Sequence, residues 1–236
     1  RSGIGYFANY DKGAPGYTGF LQDRSAGLSG VLKSAGYRTF MSGKWHMGND
    51  PGPTEKGFDE FYGFVVPHSI DCWDPETMFR LPEGRSERQY DKGSFYATDA
   101  ITDYALEFLD QGLSSTDPFF LFLSYNAPHF PLQAPKEITD RHMTVYEKGW
   151  DTIRAERFRR MMENGTGDSS WELPPRSEGM LERRDMGFGG KPNPAWDSFP
   201  EERRKDLARR MAVYAAMIDL MGRNIGRVLN RLEKAG

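Results

Sequence analysis

Twice in this chain a helical stripe of apolar residues runs into a short, strongly apolar stretch that ends on a polar tip. Leu28, Val31, Leu32 and Ala35 recur at the spacing of one helix face. Ser25 is placed to cap that helix and Gly36 to end it. Arg38 to Ser42, carrying Thr39, Phe40 and Met41, then reads as a strand. Further on, Ala97, Ala100, Ile101, Tyr104, Ala105 and Phe108 form a second stripe. It leads to "PFFLFLS", Pro118 to Ser124, whose near-continuous apolar run suits a strand covered on both faces. Alternating helix and buried strand predicts an α/β fold, a mainly parallel sheet flanked by helices.

The polar tips are the places to look for chemistry, because ligands of such sheets bind outside the carboxyl ends of the strands. After the first strand comes "SGKWHMG", Ser42 to Gly48. In extended backbone Lys44 and His46 point one way and Trp45 the other, which suits an anion-binding pair or merely a polar loop. After the second comes "YNAPHFP", Tyr125 to Pro131, whose prolines forbid helix and are expected to hold His129 in an extended loop. Taken alone, His129 equally suits a histidine satisfied by backbone groups in a proline-bound turn.

The bulk numbers narrow the classes. At 236 residues the chain fits one large α/β domain or one and a half ordinary ones. A net charge of -3 provides no basic field for nucleic acid. The longest purely apolar run, Phe119 to Leu123, is far too short to span a bilayer. Cys72 is the one cysteine, so neither an internal disulfide nor a cysteine-rich zinc site can form. The four histidines match no usual zinc spacing.

In the C-terminal third, Asp151 is read as the cap of a helix through Met162 that ends near Gly165. Residues 166–197 are rich in Gly, Pro and charge and read as an irregular insertion. Ser198 and Glu201 carry a capping-box signature. A long helix follows on Ala208, Met211, Ala212, Ala215, Ile218, Ile225, Val228, Leu229 and Leu232. Gly222 and Gly226 in it suggest close helix packing. The arginines at 154, 157, 159 and 160 and the run Arg203–Lys205 alternate with acids, as solvated helix faces do. His68 and His142 are read as structural and solvent-facing.

"LKSAGYRTFMSGKWHMG", Leu32 to Gly48, resembles the lysine-x-histidine motif of the sulfatase family, within the alkaline-phosphatase-like superfamily. "GFDEFYGF" (Gly57 to Phe64) and "PFFLFLSYNAPHFPLQAPKE" (Pro118 to Glu137) are similar to the segments that follow in that family. Ala212 to Gly236 resembles the helix leading into the next catalytic strand. The likeness is weakest over Pro67–Gly93 and Thr166–Asp197.

The resemblance implies a mechanism. Sulfatases use a formylglycine, made from cysteine or serine, whose hydrated aldehyde attacks sulfur, and a calcium ion held by oxygen ligands that neutralises the sulfate. Carried onto matching positions, Lys44 clamps a sulfate oxygen and the nucleophile. His46 holds the second hydroxyl of the hydrate and later takes its proton. His129 binds sulfate and helps protonate the departing alkoxide. The substrate implied is an organic sulfate ester, with a leaning toward sulfated carbohydrates, and the location implied is periplasmic or secreted.

The departures are equally specific. The family's Cys/Ser-x-Pro-x-Arg nucleophile motif is expected upstream of Arg1, and Cys72 does not replace it, since "CWDPE" has its proline one place late and no arginine. The aspartate and asparagine ligands for calcium are likewise expected outside these residues. The chain is therefore read as residues 1–236 of a partial catalytic domain, incomplete at both ends and inactive by itself. Rival readings are a phosphate or phosphonate ester hydrolase of the same superfamily, or a catalytically dead homologue that binds sulfated ligands.

Overall fold

The structure, a computed structural model, describes residues 13, 22, 26–48, 50–65, 70–175 and 194–236. The chain divides into two compact units, Arg1–Gln133 with Met217–Gly236, and Ala134–Ala216.

The first unit contains α1 (Leu28–Ser34), β1 (Arg38–Lys44), β2 (Glu60–Phe64), β3 (Phe79–Leu81), α2 (Ala97–Leu113) and β4 (Phe119–Ser124). The sheet order is β3-β2-β1-β4. β2 and β4 both run parallel to β1, and β3 is antiparallel to β2. The mainly parallel sheet expected from the sequence is therefore present. Side chains alternate across β1 as the pleat requires. Phe40 stacks on Phe108 of α2 with ring centroids 5.6 Å apart, and the Ser42 hydroxyl donates to the Ile101 carbonyl at 2.7 Å. Met41 turns the other way, into a cluster with Trp45, Phe58 and Phe61. Burying side chains of this size contributes about 1.5–3 kcal/mol each. The C-terminal end of α5 (Glu201–Glu233) is fastened to α2 by Asn224 to Asp99, Arg227 to Asp103 and Arg231 to Asp110.

Two expectations about burial are corrected. β4 is only partly covered, and Phe122 is 43% exposed. β4 ends the sheet among the described strands, so its apolar run reflects edge packing on α2 and Phe58 rather than full enclosure. The α1 stripe is also turned outward, with Leu28 and Val31 exposed. Ser29 is the buried residue of that helix, and its hydroxyl donates to the Lys56 carbonyl at 2.6 Å. The cause is a close backbone approach: a Cβ on Gly57 would meet the Gly30 nitrogen at 2.5 Å. The helix is capped at Gly27, and Ser25 lies outside the described residues.

Asp59 ties the start of β1 to the approach of β2. Its carboxylate accepts the Thr39 N–H at 2.8 Å and the Thr39 hydroxyl at 3.0 Å, and pairs with Lys33 at 2.8 Å. Burial alone pushes this carboxyl up, but the hydrogen bonds from Lys33 and Thr39 outweigh it and hold the group below its ordinary value. A carboxylate lowered in the folded state stabilises above its unfolded pKa, about 4, and that stabilisation is lost as pH falls through the folded value. Asp59→Asn is expected to lower stability at pH 7. Urea unfolding should show the gap from wild type closing as pH falls below about 4.

The second unit contains α3 (Lys136–Tyr146), α4 (Gly149–Glu163), a 3-10 turn (Trp196–Ser198) and the first part of α5. α4 is capped at Lys148, not at Asp151. Asp151 instead sits in the first turn, and its carboxylate accepts the Trp196 N–H at 2.9 Å. Trp196 is buried against Trp150, with centroids 4.9 Å apart, so it is a packing residue. The capping box is not formed. Ser198 donates to the Ala195 carbonyl at 2.6 Å, and α5 opens after Pro200, whose carbonyl accepts the Arg204 N–H. The arginine-rich faces pair as read: Arg159 with Glu163, Arg203 with Asp206, and Lys205 with Glu201. His142, expected to face solvent, is half-buried and engaged in an interaction.

Gly222 and Gly226 do not mark close packing either, since an added Cβ at either position meets nothing within 4 Å. Both lie inside α5, where glycine costs helix stability relative to alanine. Gly222→Ala is therefore expected to raise unfolding stability by about 0.5–1 kcal/mol, read from the urea midpoint. No helix among the described residues is long and apolar enough to cross a membrane.

Candidate active site

β1 carries Lys44 to the carboxyl edge of the sheet as its last residue, paired in register with Phe64. Just before it, Gly43 lies between Gly63 of β2 and Ser124 of β4. Both glycines have positive φ, +118° and +153°, and the three backbones are packed tightly there. A Cβ on Gly43 would lie 1.8 Å from the Ser124 carbonyl oxygen, and one on Gly63 would lie 1.8 Å from that of Gly43. This crowded row sets the direction in which Lys44 leaves the sheet. Sequence reading passed over it, although glycine inside a strand pattern is the recognised sign of a close backbone approach.

Beyond Lys44 the alternation expected from the sequence holds. Trp45 is 6% exposed and stands edge-on to Phe58, centroids 6.3 Å apart, while His46 is exposed. The Trp45 N–H donates to the Phe64 carbonyl at 2.9 Å, and its indole N–H donates to the Gly48 carbonyl at 2.8 Å. Gly48, at φ +98°, makes the return that the indole closes. Trp45 thus braces the loop from behind and leaves the lysine and histidine on the outside. Lys44 is half-buried, and desolvation lowers its pKa from the ordinary value. An oxyanion brought against it would reverse that shift by favouring the charged ammonium.

His129 follows β4, the neighbouring parallel strand, at the same edge. Its loop is a turn rather than the extended segment expected: the His129 N–H donates to the carbonyl of buried Asn126 at 3.0 Å. The exposed imidazole lies against Phe130, centroids 4.5 Å apart, with Nδ1 2.7 Å from the Phe130 carbonyl oxygen. A carbonyl only accepts, so Nδ1 carries the hydrogen and Nε2 is left as the nitrogen that exchanges protons. Lys44 thus ends β1, His46 follows it, and His129 follows β4, the adjacent parallel strand.

A second residue missed in the sequence, Gln133, fixes this loop from its far end. Its side chain accepts the Cys72 N–H at 2.7 Å and donates to Asp71 at 3.0 Å, while its carbonyl accepts the Tyr96 hydroxyl at 3.0 Å. Cys72 itself is buried, and desolvation, with the nearby Asp71 charge, pushes its thiol up to about 11. It is held as a neutral thiol, the wrong state for a nucleophile. His68 lies outside the described residues. Among the described residues no group of three or more His, Cys, Asp or Glu side chains could hold a metal ion.

Residues 5–236 match the sulfatase family model. This chain belongs to the sulfatase family. It is 30% identical over 246 residues to an arylsulfatase of Klebsiella aerogenes, covering 100% of this chain and 50% of that protein. It is 28% identical over 238 residues to an N-acetylglucosamine-6-O-sulfatase of Bacteroides thetaiotaomicron, covering 87% and 40%. The solved structure of a candidate sulfatase from Bacteroides fragilis superposes with a TM-score of 0.54 at 20% identity, over 92% of this chain and 42% of that one. The fold is thus the alkaline-phosphatase-like one, and the chain spans half or less of the length of these curated relatives.

Proposed function

We propose that the full-length protein hydrolyses an organic sulfate ester, with Lys44, His46 and His129 forming one cradle for the sulfate. The observation that carries this reading is the half-buried ammonium of Lys44 at the carboxyl end of β1, with the His129 turn on the adjacent strand. Lys44 binds a non-bridging sulfate oxygen, where a fixed cation stabilises charge developing in the transition state. His129, with Nδ1 held by the Phe130 carbonyl, presents Nε2 to the ester oxygen and as imidazolium delivers a proton to the departing alkoxide. His46 takes the proton whose removal lets sulfate leave. The attacking oxygen would come from a formylglycine hydrate outside these residues, and a calcium ion on oxygen ligands would supply charge neutralisation of the sulfate. The relatives include a carbohydrate sulfatase by name, which supports a sulfated carbohydrate as substrate. On the same reading the protein works in the periplasm or outside the cell.

The test is turnover of matched esters by the full-length protein. 4-Nitrocatechol sulfate should be hydrolysed with kcat/KM well above that for 4-nitrophenyl phosphate. A preference for the phosphate ester would replace this reading with that of a phosphatase of the same superfamily.

A further inference from the structure

The loop fastened to the far end of the His129 turn carries an exposed indole. Trp73 is 41% exposed, and its ring rests on the buried Tyr96 with centroids 4.8 Å apart. The two rings meet at a tilt of 46°, which leaves part of the indole covered and part open to solvent. The loop that carries the ring is also anchored. The Trp73 backbone N–H donates to Asp71 Oδ1 at 2.9 Å, and the Cys72 carbonyl accepts the Ala97 N–H at 2.8 Å. Gln133 then joins Asp71 and Cys72 to the His129 loop. Gln133 lies four positions after His129, a span of at most about 14 Å. Trp73 is therefore held within an oligosaccharide's length of the sulfate cradle.

The sequence around the ring is one-signed. Asp71, Asp74 and Glu76 flank Trp73 in the sequence stretch "DCWDPE", which contains no base. Their carboxylates are ordered by turns: Asp74 Oδ1 accepts the Glu76 N–H at 2.9 Å, and Asp71 Oδ1 holds both Trp73 and Gln133. Such a rim repels a second sulfate and accepts hydrogen bonds from hydroxyl groups. A single ring is too small for a protein interface, whereas the face of an indole, negative in its quadrupole, attracts the C–H face of a pyranose.

We propose that Trp73 is the stacking platform of a sugar subsite, taking an unsulfated, hydroxyl-bearing ring of a partly sulfated glycan while the sulfated ring occupies the cradle. This rests on the sulfatase reading above. It adds that the substrate is an oligosaccharide and that the ring at this subsite carries no sulfate.

The experiment compares wild-type and Trp73→Ala full-length protein on 4-nitrocatechol sulfate and on partly sulfated carrageenan and heparan oligosaccharides. Loss of the platform should lower kcat/KM on at least one oligosaccharide about tenfold, through KM. Aryl sulfate turnover should stay within about twofold, and Trp73→Phe should recover part of the loss. Equal losses on both substrate types, or no loss on any oligosaccharide, would overturn the assignment. So would wild-type turnover of the aryl sulfate with none of any oligosaccharide, which leaves the sulfatase reading intact. If wild type hydrolyses no sulfate ester, that reading fails, and calorimetry with the desulfated oligosaccharides decides Trp73. Binding lost in Trp73→Ala supports the subsite, and no wild-type binding overturns it.

Discussion

Lys44→Ala in the full-length protein is expected to reduce kcat/KM for sulfate-ester hydrolysis by about 10²–10³-fold, the loss typical of removing one fixed donor from a developing oxyanion. Thermal unfolding should change little, because Lys44 ends its strand only half-buried and Trp45 braces the loop behind it. Lys44→Arg should not restore activity. A guanidinium keeps the charge but spreads it over a planar fork, so it does not reproduce the compact point charge of an ammonium. Wild-type turnover in either variant would remove Lys44 from the reaction.

Gly43→Ala and Gly63→Ala are expected to cost about 4 kcal/mol or more each, in the range reserved for a few named mechanisms. Two causes combine here, and their sizes can be separated. The positive φ of either residue costs a side chain about 1–3 kcal/mol. The remaining cost is the collision of the new Cβ with a neighbouring carbonyl at 1.8 Å, which can be relieved only by moving a strand. Gly36 supplies the control, since its φ is +89° but a Cβ there meets nothing within 4 Å. Gly36→Ala should show the strain alone. Urea midpoints, or recovery of soluble protein, measure all three. Equal costs at Gly36 and Gly43 would mean that the strands part easily and that the row does not fix the direction of Lys44.

The alternation of stripes and apolar runs was enough to place β1, α2 and β4, because the packing of Phe40, Ser42 and Ile101 is written in a period the chain cannot satisfy otherwise. The position of Lys44 at a strand end was legible for the same reason. What the pattern concealed was contact made by polar atoms or by missing ones. Ser29 rather than Leu28 faces inward because Gly57 lets two backbones meet. Asp151 looked like a cap, but its carboxylate serves a tryptophan 45 positions away. Gln133 has no local signature at all, since its partners at 71, 72 and 96 come from distant parts of the sequence. The pairing of buried Arg80 with buried Glu60 and half-buried Glu107 has no local signature either, since the partners lie 20 or more positions away.

The most direct measurement is a crystal structure of the full-length protein with sulfate bound. The ion should lie at the carboxyl edge of β1 and β4, within about 3.2 Å of Lys44 Nζ and of ring nitrogens of His46 and His129. A sulfate bound at some other edge, with those three side chains directed apart, would contradict the account.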